Sequence, residues 1–111
     1  MGKDVLGELE HQVLLATLRL GDEAYSTTVV LELERVTGRE VAPAAVYIAL
    51  RRLEEGGYTA SELRAPPDDE GGRERRYFRV TEPGLALMRE SRRRYVALWD
   101  GVEGALEEGL P

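Results

Sequence analysis

The segment Pro43-Ala44-Ala45-Val46-Tyr47-Ile48-Ala49-Leu50-Arg51-Arg52-Leu53-Glu54-Glu55-Gly56-Gly57 decides how the rest of the chain is read. Val46, Leu50 and Leu53 recur at helical spacing and draw one buried stripe. Pro43 suits the first turn, where its missing N–H costs no intrahelical bond, and the two glycines end the helix. Ala42 stands where a polar cap is expected, so the first turn has no side-chain acceptor. Off the stripe lie Ala44, Ala45, Tyr47, Ile48, Arg51 and Arg52. Tyr47 and Arg51 sit one turn apart on that second face.

Upstream, Ser26 is expected to cap a helix with Tyr25, Val29, Leu33 and Val36 inward, stopped at Gly38. The linker from Gly38 to Ala42 is short. Before it, Leu6, Leu9, Val13, Ala16 and Leu20 mark a first helix ended by Gly21, and Leu14, Leu15 and Leu18 form a second apolar strip on it. One core face does not need that much apolar surface, so the strip predicts another partner. Downstream, Tyr58 to Arg64 and Arg75 to Val80 read as two strands around a loop containing Pro66, Pro67, Gly71 and Gly72. Thr81 then caps a last helix with Pro83 in its first turn. Leu85, Met88, Tyr95, Trp99, Val102 and Leu106 run along it, with Arg92 breaking the spacing and Gly101 and Gly104 weakening its end.

Helix, helix, helix, hairpin, helix is the order of a winged helix-turn-helix. The expected class is α+β, mostly α: three helices and a two-stranded wing, plus one long C-terminal dimerisation helix. The divisions are residues 1–81 for the DNA-binding domain, 82–103 for the dimerisation helix and 104–111 for a disordered tail.

With 111 residues the chain suits one domain. It has no apolar run near the ~20 residues that span a bilayer and no signal-like start, which predicts a cytoplasmic protein with no membrane partner. The absence of cysteine excludes disulfides, thiolate metal sites and thiol nucleophiles. A net charge of −6 opposes a nucleic-acid partner, since cationic side chains supply most affinity for phosphate. The charge is uneven, however. Residues 1–38 carry three basic and seven acidic side chains, residues 39–80 eight of each, and residues 81–111 four and six. The middle segment can present a basic edge if its carboxylates point elsewhere.

Several segments together resemble the PadR family of transcriptional regulators. They are Leu6-Gly7-Glu8-Leu9-Glu10, Leu18-Arg19-Leu20-Gly21, Val46 through Tyr58, and Arg76-Tyr77-Phe78-Arg79-Val80-Thr81-Glu82-Pro83-Gly84. The resemblance runs from about Leu6 to Trp99 and is similar to the short subfamily with a single C-terminal helix. It implies a DNA-binding regulator, usually a repressor, dimerised by its last helix and often released by a small-molecule inducer. The chain departs from the family pattern at Ala42-Pro43, where a small polar residue is usual, and at Ser26, where a glycine is usual.

On these grounds the DNA-facing set is Ser26, Ala44, Ala45, Tyr47, Ile48, Arg51 and Arg52, with Arg73, Arg75 and Arg76 from the wing. Alternation along a strand puts Arg73 and Arg75 on one side and Arg76 on the other. Asp68, Asp69 and Glu70 are expected at a mobile tip. The dimer set is Leu14, Leu15, Leu18, Leu85, Met88, Tyr95, Trp99 and Val102. Tyr95 and Trp99 are the candidates for stacking on a small planar hydrophobic ligand, as a tryptophan of this helix does in drug-sensing members of the family. His11 has no carboxylate at i±4 spacing and is read as a structural histidine. No metal, cofactor or catalytic constellation is expected. A winged helix can also serve as a protein-interaction module, and that alternative stays open here.

Overall fold

The computed structural model describes residues 6–66 and 72–110. Helix α1 spans Glu8–Leu20, and after a 3-10 turn at Gly21–Glu23 come α2, Ser26–Thr37, and α3, Pro43–Glu55. Strands β1, Thr59–Arg64, and β2, Arg75–Val80, precede α4, Glu82–Trp99, and a short α5, Gly104–Glu108. The strands pair antiparallel with Thr59 opposite Val80, Ser61 opposite Phe78 and Arg64 opposite Arg75. This is the α+β, mostly helical winged architecture that the element order predicts.

The core lies where α1, α2, α3 and the inner face of the wing meet. Val13, Leu14, Val29, Val46 and Leu50 are fully enclosed there, with Leu33, Leu53 and Phe78 beside them. Each such side chain contributes about 1.5–3 kcal/mol relative to exposure. Leu14 therefore does not belong to the outer strip of α1. Because α2, α3, β2 and α4 all pack on α1, its buried arc is wide enough to take both Val13 and Leu14, and only Leu15 and Leu18 remain outside. Met88 is likewise core, so it too leaves the expected dimer set.

Ser26 is the first residue of α2 and not its cap. The cap is Tyr25, in extended backbone, whose N–H donates to Thr28 Oγ1 at 2.9 Å. Val36, expected inward, is exposed. At α3 the bare start is confirmed: Pro43 occupies the first turn and no side chain caps it. The turn before α3 is pinned instead by Glu34, whose Oε2 accepts from the Val41 N–H at 3.0 Å.

Thr81 caps α4 as expected, accepting from the Gly84 N–H at 3.2 Å and donating to the Gly57 carbonyl at 2.6 Å. Gly84 is buried against the wing, and a Cβ there would lie 2.1 Å from the Tyr58 carbonyl oxygen. Gly84, Met88 and Ser91 form the docked side of α4, and His11 Nδ1 meets Ser91 Oγ at 2.8 Å. Beyond Ser91 nearly every residue of α4 is exposed. The radius of gyration is 16.5 Å and the longest dimension 60 Å, against about 13 Å expected for the gyration radius of a compact chain of this length. The helix ends at Trp99, so Val102 falls in the following turn, where Gly101 takes φ 87°. The tail read as disordered forms the short α5 over Gly104–Glu108, a run rich in good helix formers.

Candidate nucleic-acid interface

Helix α3 buries one side and leaves the other to water. Val46, Ala49, Leu50 and Leu53 are inward. Ala44, Tyr47, Ile48, Arg51 and Arg52 are exposed, with Tyr47 at 42% and Ile48 at 53%, while Ala45 is half-buried at the edge. An exposed isoleucine and tyrosine flanked by two arginines form a face that can meet both apolar and anionic groups. Arg51 has a partner on each side, its Nη1 donating to Tyr47 Oη at 3.3 Å and its Nε standing 3.6 Å from Glu54 Oε1. Arg52 is exposed, and no ion pair engages it among the described residues.

The wing divides its arginines by strand alternation. Arg76 lies on the face shared with Phe78 and Ser61 and donates from Nη1 to Ser61 Oγ at 3.0 Å. Arg75 lies on the other face, its guanidinium 4.7 Å above the Tyr25 ring. Arg73 is exposed and precedes the strand. The expected acidic tip, Asp68 to Glu70, lies outside the described residues. Ser26 is half-buried at the start of α2, beside this outer face.

Sequence reasoning missed how the outer face of the wing is built. Tyr25 bridges to Tyr77, their rings edge to face at 5.2 Å, and the Phe78 N–H donates to the Ala24 carbonyl at 2.8 Å. Arg64 covers Tyr77 at 4.1 Å and donates to the Asp22 carbonyl at 3.2 Å. Two cations thus lie over two aromatic rings at the junction of α2 and the wing, contacts worth about 0.5–1 kcal/mol each at exposed sites. Their types were visible in the sequence, but positions 25, 64 and 77 are far apart in it.

Away from this face, Glu32 of α2 is gripped by Arg35 and by Arg19 of α1, each at 2.7 Å. The hydrogen bond from Arg35, then that from Arg19, hold its carboxyl well below the ordinary 4.5, at about 2. This clasp fixes α1 against α2, on which the attitude of α3 depends. Among the described residues no cluster of His, Cys, Asp and Glu could hold a metal ion, and no helix is long and apolar enough to cross a membrane.

The family model of the PadR-like transcriptional regulators matches residues 14–90, which takes in the helix-turn-helix, the wing and the docked half of α4. The chain belongs to that family. Its fold is similar to a PadR family regulator from Eggerthella lenta, with 32% identity and a TM-score of 0.64 over 88% of this chain and 86% of that one. A PadR-like regulator from Bacillus cereus superposes with a TM-score of 0.70 at 21% identity, covering 88% and 90% of the two chains. A PadR-like transcription factor from Bacteroides fragilis gives 0.68 at 23% identity, covering 86% and 87%. No curated protein matches the chain. Membership makes this PadR-like chain a regulator of transcription.

Proposed function

We propose that this PadR-like chain is a homodimeric repressor that reads a roughly palindromic operator through α3 and the base of the wing. Support comes from one observation above all: α3 turns Ala44, Tyr47, Ile48, Arg51 and Arg52 to solvent beside a wing whose Arg76 reaches back towards α3 through Ser61 and Glu54. In this reading the N-terminal turns of α3 enter the major groove, Arg51 and Arg52 take base edges or phosphates, and Arg73, Arg75 and Arg76 follow the backbone. Leu15, Leu18, Leu85, Tyr95, Trp99 and Val102 face the second copy, which places two recognition helices about one helical turn of DNA apart. Release by a small planar hydrophobic ligand between subunits belongs to the same proposal. Tyr95 and Trp99 lie one turn apart and are exposed in the single chain, and quenching of Trp99, the only tryptophan, would report such a ligand.

Selection of bound duplexes from a random library at two salt concentrations tests the proposal. A two-fold symmetric site should emerge, and Arg51→Ala with Arg52→Ala should weaken binding to it by about 10- to 100-fold and reduce the salt slope by about two. If the double variant binds with the affinity and slope of the parent, α3 is not the reading helix. Failure to enrich any sequence at either salt would favour a protein partner for the acidic surface instead.

A further inference from the structure

Recognition helix and wing are joined by a polar relay that begins and ends on arginine. Arg51 Nε stands 3.6 Å from Glu54 Oε1. Glu54 Oε2 accepts from the Ser61 hydroxyl at 2.7 Å, and Ser61 Oγ accepts in turn from Arg76 Nη1 at 3.0 Å. The relay is incomplete at one atom: Glu54 Oε1 is closed off from solvent and accepts no hydrogen bond from the described residues. Its link to Arg51 is one of charge alone, because 3.6 Å is too long for a hydrogen bond. A neutral amide of the same shape could keep the Ser61 contact, so fold stability does not account for a full negative charge here.

We propose that Glu54 is a specificity-determining positioning residue, a built-in counter-charge that holds Arg51 and Arg76 back from phosphates of arbitrary sequence. The proposal rests on α3 being the DNA-reading helix. Non-specific binding is almost wholly phosphate electrostatics, so a carboxylate between the two arginines weakens it in full. A cognate site also offers base edges, and Arg51, steadied by Tyr47 and Glu54, meets them with its side chain already oriented. The carboxylate thus costs less affinity at the cognate site than elsewhere. The eight acidic side chains among residues 39–80 match the eight basic ones in number, and among the described residues Glu54 is the one placed between Arg51 and Ser61-bound Arg76.

The experiment compares the full chain with its Glu54→Gln, Ser61→Ala and Arg51→Ala/Arg52→Ala variants, on the selected duplex and on a scrambled duplex of equal length and composition, at two salt concentrations. Glu54→Gln is expected to bind the scrambled duplex about fivefold more tightly, the scale of a single ion pair at the rim of the core, with a salt slope steeper by about one. The selected duplex gains less, so the ratio between the two falls. Ser61→Ala, which releases Arg76 alone, shifts the ratio the same way by a smaller factor and stands in if Glu54→Gln does not fold. An unchanged ratio and slope in both variants, or equal weakening on both duplexes, overturns the proposal and leaves Glu54 a structural residue. If instead the double arginine variant binds like the parent, or the parent binds no duplex, the reading of α3 fails and takes this inference with it.

Discussion

Helices α3 and α4 each present a broad face to water, and the two faces differ in kind. That of α3 is cationic and partly self-paired, with Arg51 between Tyr47 and Glu54. That of distal α4 is apolar and uncovered in the single chain, with Tyr95 and Val96 more than half exposed, Leu98 at 74% and Trp99 at 43%. A charged face whose cations lie near their own counter-ions is at ease in water and exchanges those partners for phosphates. An apolar face is not, since each Å² left wet forgoes about 25 cal/mol. In the proposed function this difference gives the two surfaces two partners, a polyanion at α3 and a like surface of a second copy at α4.

The sharpest way to break that comparison is at the tip of α4. Tyr95→Ser with Trp99→Ser should weaken self-association by about 3–5 kcal/mol, the scale of a paired aromatic hot spot, and leave the winged domain folded. Sedimentation equilibrium beside far-UV circular dichroism reads both quantities. A double variant that associates as tightly as the parent would move the dimer surface elsewhere.

A smaller effect is expected where α4 docks. Alanine normally stabilises an exposed helix relative to glycine by up to about 1 kcal/mol. At Gly84 the added Cβ would meet the Tyr58 carbonyl oxygen at 2.1 Å, and overpacking of this kind costs about 1–3 kcal/mol. Gly84→Ala should therefore lower the Tm by about 5 °C or more, and a rise would show that α4 docks less closely than the wing contact implies.

The smallest effect lies where α4 leaves the core, at the contact of His11 of α1 with Ser91 of α4. Burial pushes the imidazole below its ordinary 6.5. The folded chain prefers neutral His11, so the unfolded chain binds more protons on acidification. This stability is complete above about pH 6.5 and is lost as pH falls below it. The Glu32 clasp titrates elsewhere, between 4.5 and about 2. Melting at pH 7.5 and 5.5 should show a drop of about 2 °C or less in the parent that is absent from His11→Gln. An equal drop in both would place the proton on another group.

The sequence carried most of the fold because its strongest signals are local. Pro43 in the first turn of α3, Thr81 as the cap of α4 and the stripe of Val46, Leu50 and Leu53 each depend on residues within a turn or two of one another. The misplacements came where several elements share one surface. Leu14 and Leu15 are adjacent in the chain and both apolar, and only the packing of α2, α3, β2 and α4 around α1 decides that the first is enclosed and the second is not. Met88 went astray in the same way, because the face of α4 that continues its stripe leaves the core after Ser91.

The candidate interface divides likewise. Composition and helical phase alone determined that Tyr47, Ile48, Arg51 and Arg52 stand off the core stripe, and alternation alone separated Arg75 from Arg76. Only the tertiary structure decided which groups those cations meet: Arg75 over Tyr25, Arg64 over Tyr77, Arg51 beside a Glu54 oxygen that accepts no hydrogen bond from the described residues. The physical reason is range. Helical phase and capping act over a few residues, whereas a guanidinium finds its ring or carboxylate through space, and no periodicity in the chain encodes that meeting.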